Sequence, residues 1–253
     1  MIGAHARAGL LGLDGHPWVS SPAEPDLTER LRGALHAATA PDVSDLPARR
    51  AVPALVELVE ESVDRYRGFG LPDQVAVQTL ADVGRKVRWY DGDIDTPWLL
   101  GLLRADVVGV GRLQAERVPG EHGRALHVPE AGPLAAAAVD EALTGLRRLL
   151  DDAPMTCTSW LLDRRVLELR PDSNLVRFRA RFDIADGEPA PAEDDVTDGD
   201  RAVARFVFRR PVAEVRDRAE VHPSTSLERL VASTLRSGAH WTEPTGHLAT
   251  LGC

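Results

Sequence analysis

Apolar residues recur at helical spacing through roughly the first ninety positions and at strand-like spacing beyond them. Val52, Leu55, Val59, Val63 and Tyr66 mark one face of a helix that Gly68 and Gly70 stop. Pro72 opens another, carrying Val75, Leu80, Val83 and Val87 and ending before Asp91-Gly92. Asp26 and Glu29 have the spacing of a reciprocal helix cap, which predicts a helix to about Ala38. Residues 1–25 show no steady period and are rich in Gly, Pro, Ser and Ala, so they read as a loop or weakly ordered arm.

From about Pro97 the pattern changes. Trp98 to Arg104 and Asp106 to Val118 read as strands joined tightly at Ala105-Asp106. Gly109 and Gly111 weaken the second strand and mark a bulge or a close backbone approach. Arg124 to Pro129 is a third strand, followed by a Gly132-Pro133 turn, a helix over Leu134 to Leu150 and an apolar fourth strand over Met155 to Leu162. Asn174 to Ile184 alternates, with Val176, Phe178, Ala180 and Phe182 on one face and Arg177, Arg179 and Arg181 on the other, and Ala202 to Phe208 would pair with it as a hairpin. The acidic, Pro-rich stretch 186–200 between them reads as mobile and exposed. Thr225 and Glu228 cap a last helix, Ser224 to Arg236, that Gly238 stops. The expected fold class is α+β: an arm over 1–25, an all-helical N-terminal domain over 26–92 packed on a mixed, mostly antiparallel sheet, and that sheet domain over 93–253.

A net charge of -9 argues against sequence-independent binding of nucleic acid. Lys86 is the only lysine, so arginine carries nearly all positive charge. Two cysteines, Cys157 and Cys253, make neither a disulfide framework nor a metal-like pair. They fit a reduced, cytoplasmic setting without a metal. No segment approaches the length of a membrane span, and the short apolar run Ala8 to Leu13 is not a signal peptide.

Candidate chemistry gathers around the Gly132-Pro133 turn. A strand that feeds a helix through glycine offers free amides and the positive end of a helix dipole to a phosphate, although Glu130 beside it would repel one. His127, facing away from Leu126 and Val128, could take a proton from an attacking amine; Glu116 and Glu130 are rival bases. A lone strand histidine is more often a hydrogen-bonded surface group. Cys157 with His127 could form a nucleophile–base pair, but a buried cysteine is usually inert packing; Ser159 is better suited to offer its hydroxyl to a ligand amide or leaving thiolate. The arginine stripe could meet an anion or be a solvated face. Trp241 beside His240 could close a pocket or be core, and Asp163 follows the fourth strand.

The order of strands, helix, strand and hairpin resembles the central and C-terminal part of the GNAT N-acetyltransferase fold. Gly111-Arg-Leu-Gln-Ala-Glu116, His127-Val-Pro-Glu-Ala-Gly-Pro133, Cys157-Thr-Ser-Trp-Leu-Leu-Asp163 and Ser173-Asn-Leu-Val-Arg-Phe178 resemble a bacterial family that joins a helical N-acyltransferase-like domain to a GNAT-like C-terminal domain. Leu71-Pro72 through Asp82-Val-Gly-Arg85 resembles its helical part. The resemblance implies acyl-CoA, or a carrier thioester, as donor and an amine as acceptor. It puts the pantetheine arm between strands 124–129 and 155–162 and the pyrophosphate on the amides after Ala131, with Gly132, Leu134 and Trp160 completing the cofactor contacts. His127 or Glu116 would be the base, Ser159 a donor to the thiolate, and an amide near Val128 would polarise the thioester. Two departures point to a rival reading, a silent GNAT-like binding protein. In Pro129-Glu-Ala-Gly-Pro-Leu134 only the first of the family's turn glycines is kept, and both tyrosines, Tyr66 and Tyr90, lie in the helical half.

Overall fold

The computed structural model describes residues 3–90, 94–184 and 195–249. The chain forms two compact units: the first holds the chain up to Pro119 with His127–Gly132 and Asp140–Asp152, and the second holds Gly120–Leu126, Pro133–Val139 and the chain from Ala153.

The first unit is mostly helical: α1 (Ala4–Leu10), α2 (Pro25–His36), α3 (Ala48–Glu57), α4 (Val59–Gly68), α5 (Asp73–Tyr90) and α6 (Thr96–Leu103). Their shared core includes Leu11, Leu13, Leu31, Leu55, Leu58, Leu80 and Leu99, all with no solvent exposure. The opening residues are therefore not a loose arm. Leu11 and Leu13 are core, and the Leu11 carbonyl accepts the Gly84 amide at 2.7 Å. Helix α2 starts at Pro25, which puts Asp26 inside the first turn, and no side chain caps its end. The periodic run from Val52 to Tyr66 breaks at Leu58 into α3 and α4.

Trp98 to Arg104 is not a strand. The Trp98-Leu-Leu-Gly-Leu-Leu103 run is apolar on all sides because α6 is buried on nearly all sides, and Pro97 sits in its first turn, where no amide is needed. Asp106 to Val118 folds back on itself as β1 (Val107–Val110) and β2 (Leu113–Glu116), antiparallel with Val110 opposite Leu113. Gly111 turns the corner at φ 57°. Gly109 makes the close approach its sequence suggested: its amide donates to Thr79 Oγ1 at 2.8 Å.

In the second unit the strands lie in the order β3 (Arg124–His127), β4 (Met155–Thr158), β6 (Thr245–Leu248), β5 (Phe182–Ile184). Only β3 and β4 are parallel; β6 runs antiparallel to both of its neighbours. The partner of β5 is thus β6, with Phe182 opposite Leu248, and not residues 202–208. Ala202 to Phe208 is helical: α9 (Asp198–Val203) runs into a π-turn over Ala204–Phe208. Thr197 and Asp200 form a reciprocal cap that drives the chain into helix there. Asn174 to Arg179 is likewise one helical stretch, α8, because Ser173 Oγ accepts the Val176 amide and the turn buries Phe178. Alternation over so few residues could not compete with a capping serine.

Helix α7 (Ala136–Leu149) begins two residues later than the expected Leu134 and so does not follow directly on the Gly132-Pro133 turn. Helices α10 (Val212–Arg216) and α11 (Ser226–Arg236) follow the π-turn. The Thr225–Glu228 cap on α11 and the left-handed Gly238 beyond it are both present. The expected exposed stretch falls in part on residues 185–194, outside the described residues; its end, Gly199-Asp200, is buried in α9.

Candidate active site

The parallel ladder of β3 and β4 joins Arg124 to Met155 and Ala125 to Thr156 and goes no further. Beyond Ala125 the third strand leads to the residues singled out by sequence. His127, Val128, Ala131 and Gly132 lie with Glu116 in the first unit, whereas Leu134, Ser159 and Trp160 belong to the second.

His127 ends β3 and Glu116 ends β2. Nε2 of His127 stands 3.7 Å from Glu116 Oε1, in ion-pair range but longer than a hydrogen bond. Nε2 is buried and makes no hydrogen bond, and the ring meets Trp98 edge to face at 4.8 Å. The imidazole holds the Glu116 carboxyl below the usual range, against the upward push of burial. A carboxylate set against an imidazole can orient the ring and balance the charge when it takes up a proton.

The loop after His127 is anchored by residues the sequence gave no reason to join. Glu130 accepts Lys86 Nζ at 2.8 Å and the Tyr90 hydroxyl, and Lys86 lies over the Tyr90 ring at 5.5 Å. Burial pushes the Glu130 carboxyl up, but the Lys86 charge and these hydrogen bonds outweigh it and hold the group below its ordinary value. Arg112 Nη1 donates to the Pro129 carbonyl at 2.9 Å. The Ala131 amide is already spent on the Pro129 carbonyl at 2.8 Å. Gly132 takes φ 99°, and a side chain there would meet no atom within 4 Å. The only hint in the sequence was the single lysine. Tyr66, by contrast, is core: its hydroxyl donates to the Leu102 carbonyl at 2.7 Å, and burial drives its ionisation far up.

In the second unit, Ser159 Oγ accepts the Leu161 amide at 3.2 Å and caps a short 3-10 turn. Trp160 is buried in that turn, edge-on to the buried Trp241 at 6.2 Å, and the Leu134 side chain is buried too. Asp163 accepts the Thr242 and Arg165 amides, both at 2.7 Å. Asp200 accepts the Trp241 amide at 2.8 Å and bonds His240 Nδ1 at 2.7 Å. Asp163, His240 and Trp241 are therefore clamps of the fold. Burial, aided by the Glu243 charge, pushes the Cys157 thiol up to about 12, so it is a neutral packing group and not a nucleophile. The arginine stripe dissolves into α8 and its C-terminal side: Arg179 Nε donates to the Leu162 carbonyl at 3.0 Å and Arg181 Nη2 to the Ala136 carbonyl at 3.2 Å. Among the described residues no group of His, Cys, Asp or Glu side chains could hold a metal ion, and no helix is long and apolar enough to cross a membrane.

The sequence profile of the GNAT-like C-terminal domain family matches residues 73–248. The chain belongs to this family. Solved structures extend the likeness over nearly the whole chain. An acyltransferase in complex with CoA and 10C-teicoplanin is 26% identical, with a TM-score of 0.79 over 97% of this chain and 87% of that one. An acyltransferase in complex with decanoyl-CoA and teicoplanin is also 26% identical, with a TM-score of 0.77 over 98% and 88%. A variant acyltransferase with octanoyl-CoA is 27% identical, with a TM-score of 0.79 over 97% and 87%. No curated protein sequence matches the chain. The GNAT-like protein thus has the α+β acyltransferase fold that its motifs suggested, and its solved relatives bind CoA and acyl-CoA.

Proposed function

We propose that this protein is an N-acyltransferase that moves an acyl group from CoA to an amine. The observation that carries the proposal is the parallel ladder that stops after Ala125 and Thr156, in a chain whose solved relatives hold CoA. The amine nitrogen attacks the thioester carbonyl, a C–N bond forms, and the C–S bond breaks. His127, paired with the Glu116 carboxylate, takes the proton that the amine loses. The backbone amide of Val128 would stabilise the oxyanion. Gly132 and the loop it bends would carry the pyrophosphate, and Leu134 and Trp160 would line the apolar arm. The thiolate would be protonated by Ser159, whose Oγ accepts the Leu161 amide and keeps its own proton to donate, by Tyr90 or by water. The acceptor class rests on the GNAT-like family and on teicoplanin, a glycopeptide with amine groups, in two of the related structures.

The spent Ala131 amide favours a second reading, a GNAT-like protein that binds its ligand without turnover. Calorimetry with CoA, octanoyl-CoA and decanoyl-CoA tests the shared part: absence of heat with all three refutes both readings. His127→Gln separates them. Turnover with an amine acceptor falls at least about a hundredfold in an enzyme that uses a general base, while CoA affinity stays put.

A further inference from the structure

Three arginines of the second unit, Arg218, Arg229 and Arg236, face one hollow of about 570 Å³, whose wall is completed by Pro223, Ala232, Ser233 and Ser237. None of these residues has a part in the proposed transfer. We propose that this hollow binds the phosphate group of a small phosphorylated molecule.

The argument is one of charge left over. Arginines nearby have carboxylate partners: Arg210 pairs with Glu214 at 2.8 Å, Arg201 with Asp198 at 2.9 Å and Arg216 with Asp195 at 3.6 Å. Among the described residues, Arg218, Arg229 and Arg236 have no such pair. The bonds of Arg229 and Arg236 go to backbone carbonyls instead. Arg229 Nη1 donates to Ser224 at 2.7 Å, and Arg236 donates to Val215 at 3.2 Å, Asp217 at 3.2 Å and Val221 at 2.9 Å. A carbonyl fixes a guanidinium in place without cancelling its charge.

The nearby carboxylates are engaged by other groups, and only Glu228 also feels one of the three arginines, the Arg229 charge being the last of the causes that hold its carboxyl down. Glu228 is held by the Ser224 hydroxyl at 2.7 Å and by the Ser224 and Thr225 amides, Asp217 accepts the Ala219 amide at 2.8 Å, and Glu214 and Glu220 both face Arg210. The Arg236 fork, tied to three carbonyls, is already rigid, so little side-chain entropy is lost when an anion docks. Planar guanidinium forks match phosphate oxygens in pairs. In a protein of net charge -9 such a focus of positive charge is local and selects for a small anion over a polyanionic surface. The hollow is in the size range of small-molecule sites.

Two sources supply this chemistry, the nucleotide end of CoA and an independent phosphorylated metabolite. The probes are inorganic pyrophosphate and adenosine 3′,5′-bisphosphate, titrated into the full-length protein by calorimetry. One-site pyrophosphate binding is expected. Arg218→Gln with Arg229→Gln should weaken it on the order of a hundredfold, about tenfold per charge-assisted contact. The same loss of charge at Arg49→Gln with Arg148→Gln should leave it unchanged. Absence of pyrophosphate binding, or equal weakening by both double variants, overturns the proposal. Competition by the bisphosphate and by CoA, with the same dependence on Arg218 and Arg229, assigns the CoA nucleotide. Pyrophosphate binding that survives saturating CoA assigns a separate metabolite. These readouts need no turnover, so they stand or fall apart from the acyltransferase reading.

Discussion

Replacing Lys86 with methionine tests how the loop at Glu130 is held. Lys86 and Glu130 are 14% and 22% exposed and 2.8 Å apart. At an effective dielectric of about 20 the gross attraction is about 6 kcal/mol. Partial desolvation of both ions offsets most of it, leaving a net of about 2 kcal/mol, the usual worth of a hydrogen bond to a charged group. Methionine keeps the aliphatic stem and removes the charge. For a protein of this size such a loss lowers Tm by about 4–8 °C at pH 7. The pH dependence follows from the direction of the Glu130 shift. Its carboxyl is held below its ordinary value, so its contribution is fully present above the unfolded value and fades as pH falls through the folded one. In Lys86→Met that contribution is absent, and protonation relieves the stranded carboxylate. The Tm gap between wild type and variant should therefore narrow as the pH drops from 7 toward 4. Thermal melts followed by circular dichroism across that range are the assay. A gap below about 1 °C at pH 7, or one that widens on acidification, would refute the reasoning.

Tyr90→Phe removes only the hydroxyl that bonds Glu130. If Tyr90 positions the loop, the KM for acyl-CoA rises severalfold with kcat unchanged; a drop in kcat instead would make it the acid for the leaving thiolate. Gly84→Ala puts a methyl group 2.2 Å from the Gly12 carbonyl oxygen and should destabilise by at least about 2 kcal/mol, read as the urea midpoint. An unchanged midpoint would mean that residues 11–13 do not pack on α5. With Cys253 changed to serine, Cys157 should resist iodoacetamide near neutral pH in the folded protein and react in urea, as a buried thiol titrating at about 12 requires. Rapid labelling of the folded form would restore it as a candidate nucleophile.

Elements that announced themselves carried two agreeing signals. Helix α11 had both an amphipathic face and the Thr225–Glu228 cap, and α5 had a long apolar period after Pro72. The misread elements had one signal, or two in conflict. Helix α6 is surrounded by core, so its residues show no polar face and mimic a buried strand. Helix α8 is too short for a helical period to emerge, and its apolar residues happen to alternate. Helix α1 is Ala- and Gly-rich, yet it leads into Leu11 and Leu13, which only tertiary packing buries. Strand β6 was invisible because in Thr245-Gly-His-Leu248 only the threonine favours a strand and the glycine opposes one; Gly246 is there because a side chain would lie 2.8 Å from Phe182 Cβ.

The candidate site divides in the same way. His127 and Glu116 could be singled out because each is a titratable group near the end of a strand-like run, and residues that close pairs of strands meet through short local geometry. The Glu130 anchor could not, since Lys86 and Tyr90 lie 44 and 40 residues away on a helix whose direction the sequence does not fix. That gap changes the weight of an argument made from sequence alone. Glu130 beside Gly132 counts against a phosphate only while its charge is uncompensated. With the chain's single lysine against it and a phenol on its other oxygen, the carboxylate becomes a tether for the loop and its field beyond the pair is largely cancelled. The missing second glycine loses force for a related reason. The helix does not begin at the turn but at Ala136, so Gly132, at φ 99° and open on its outer side, makes the bend by itself with three residues in hand before the first helical turn. A family turn that closes directly onto its helix needs several small residues to let a phosphate approach the backbone; a longer loop pinned at Glu130 needs one.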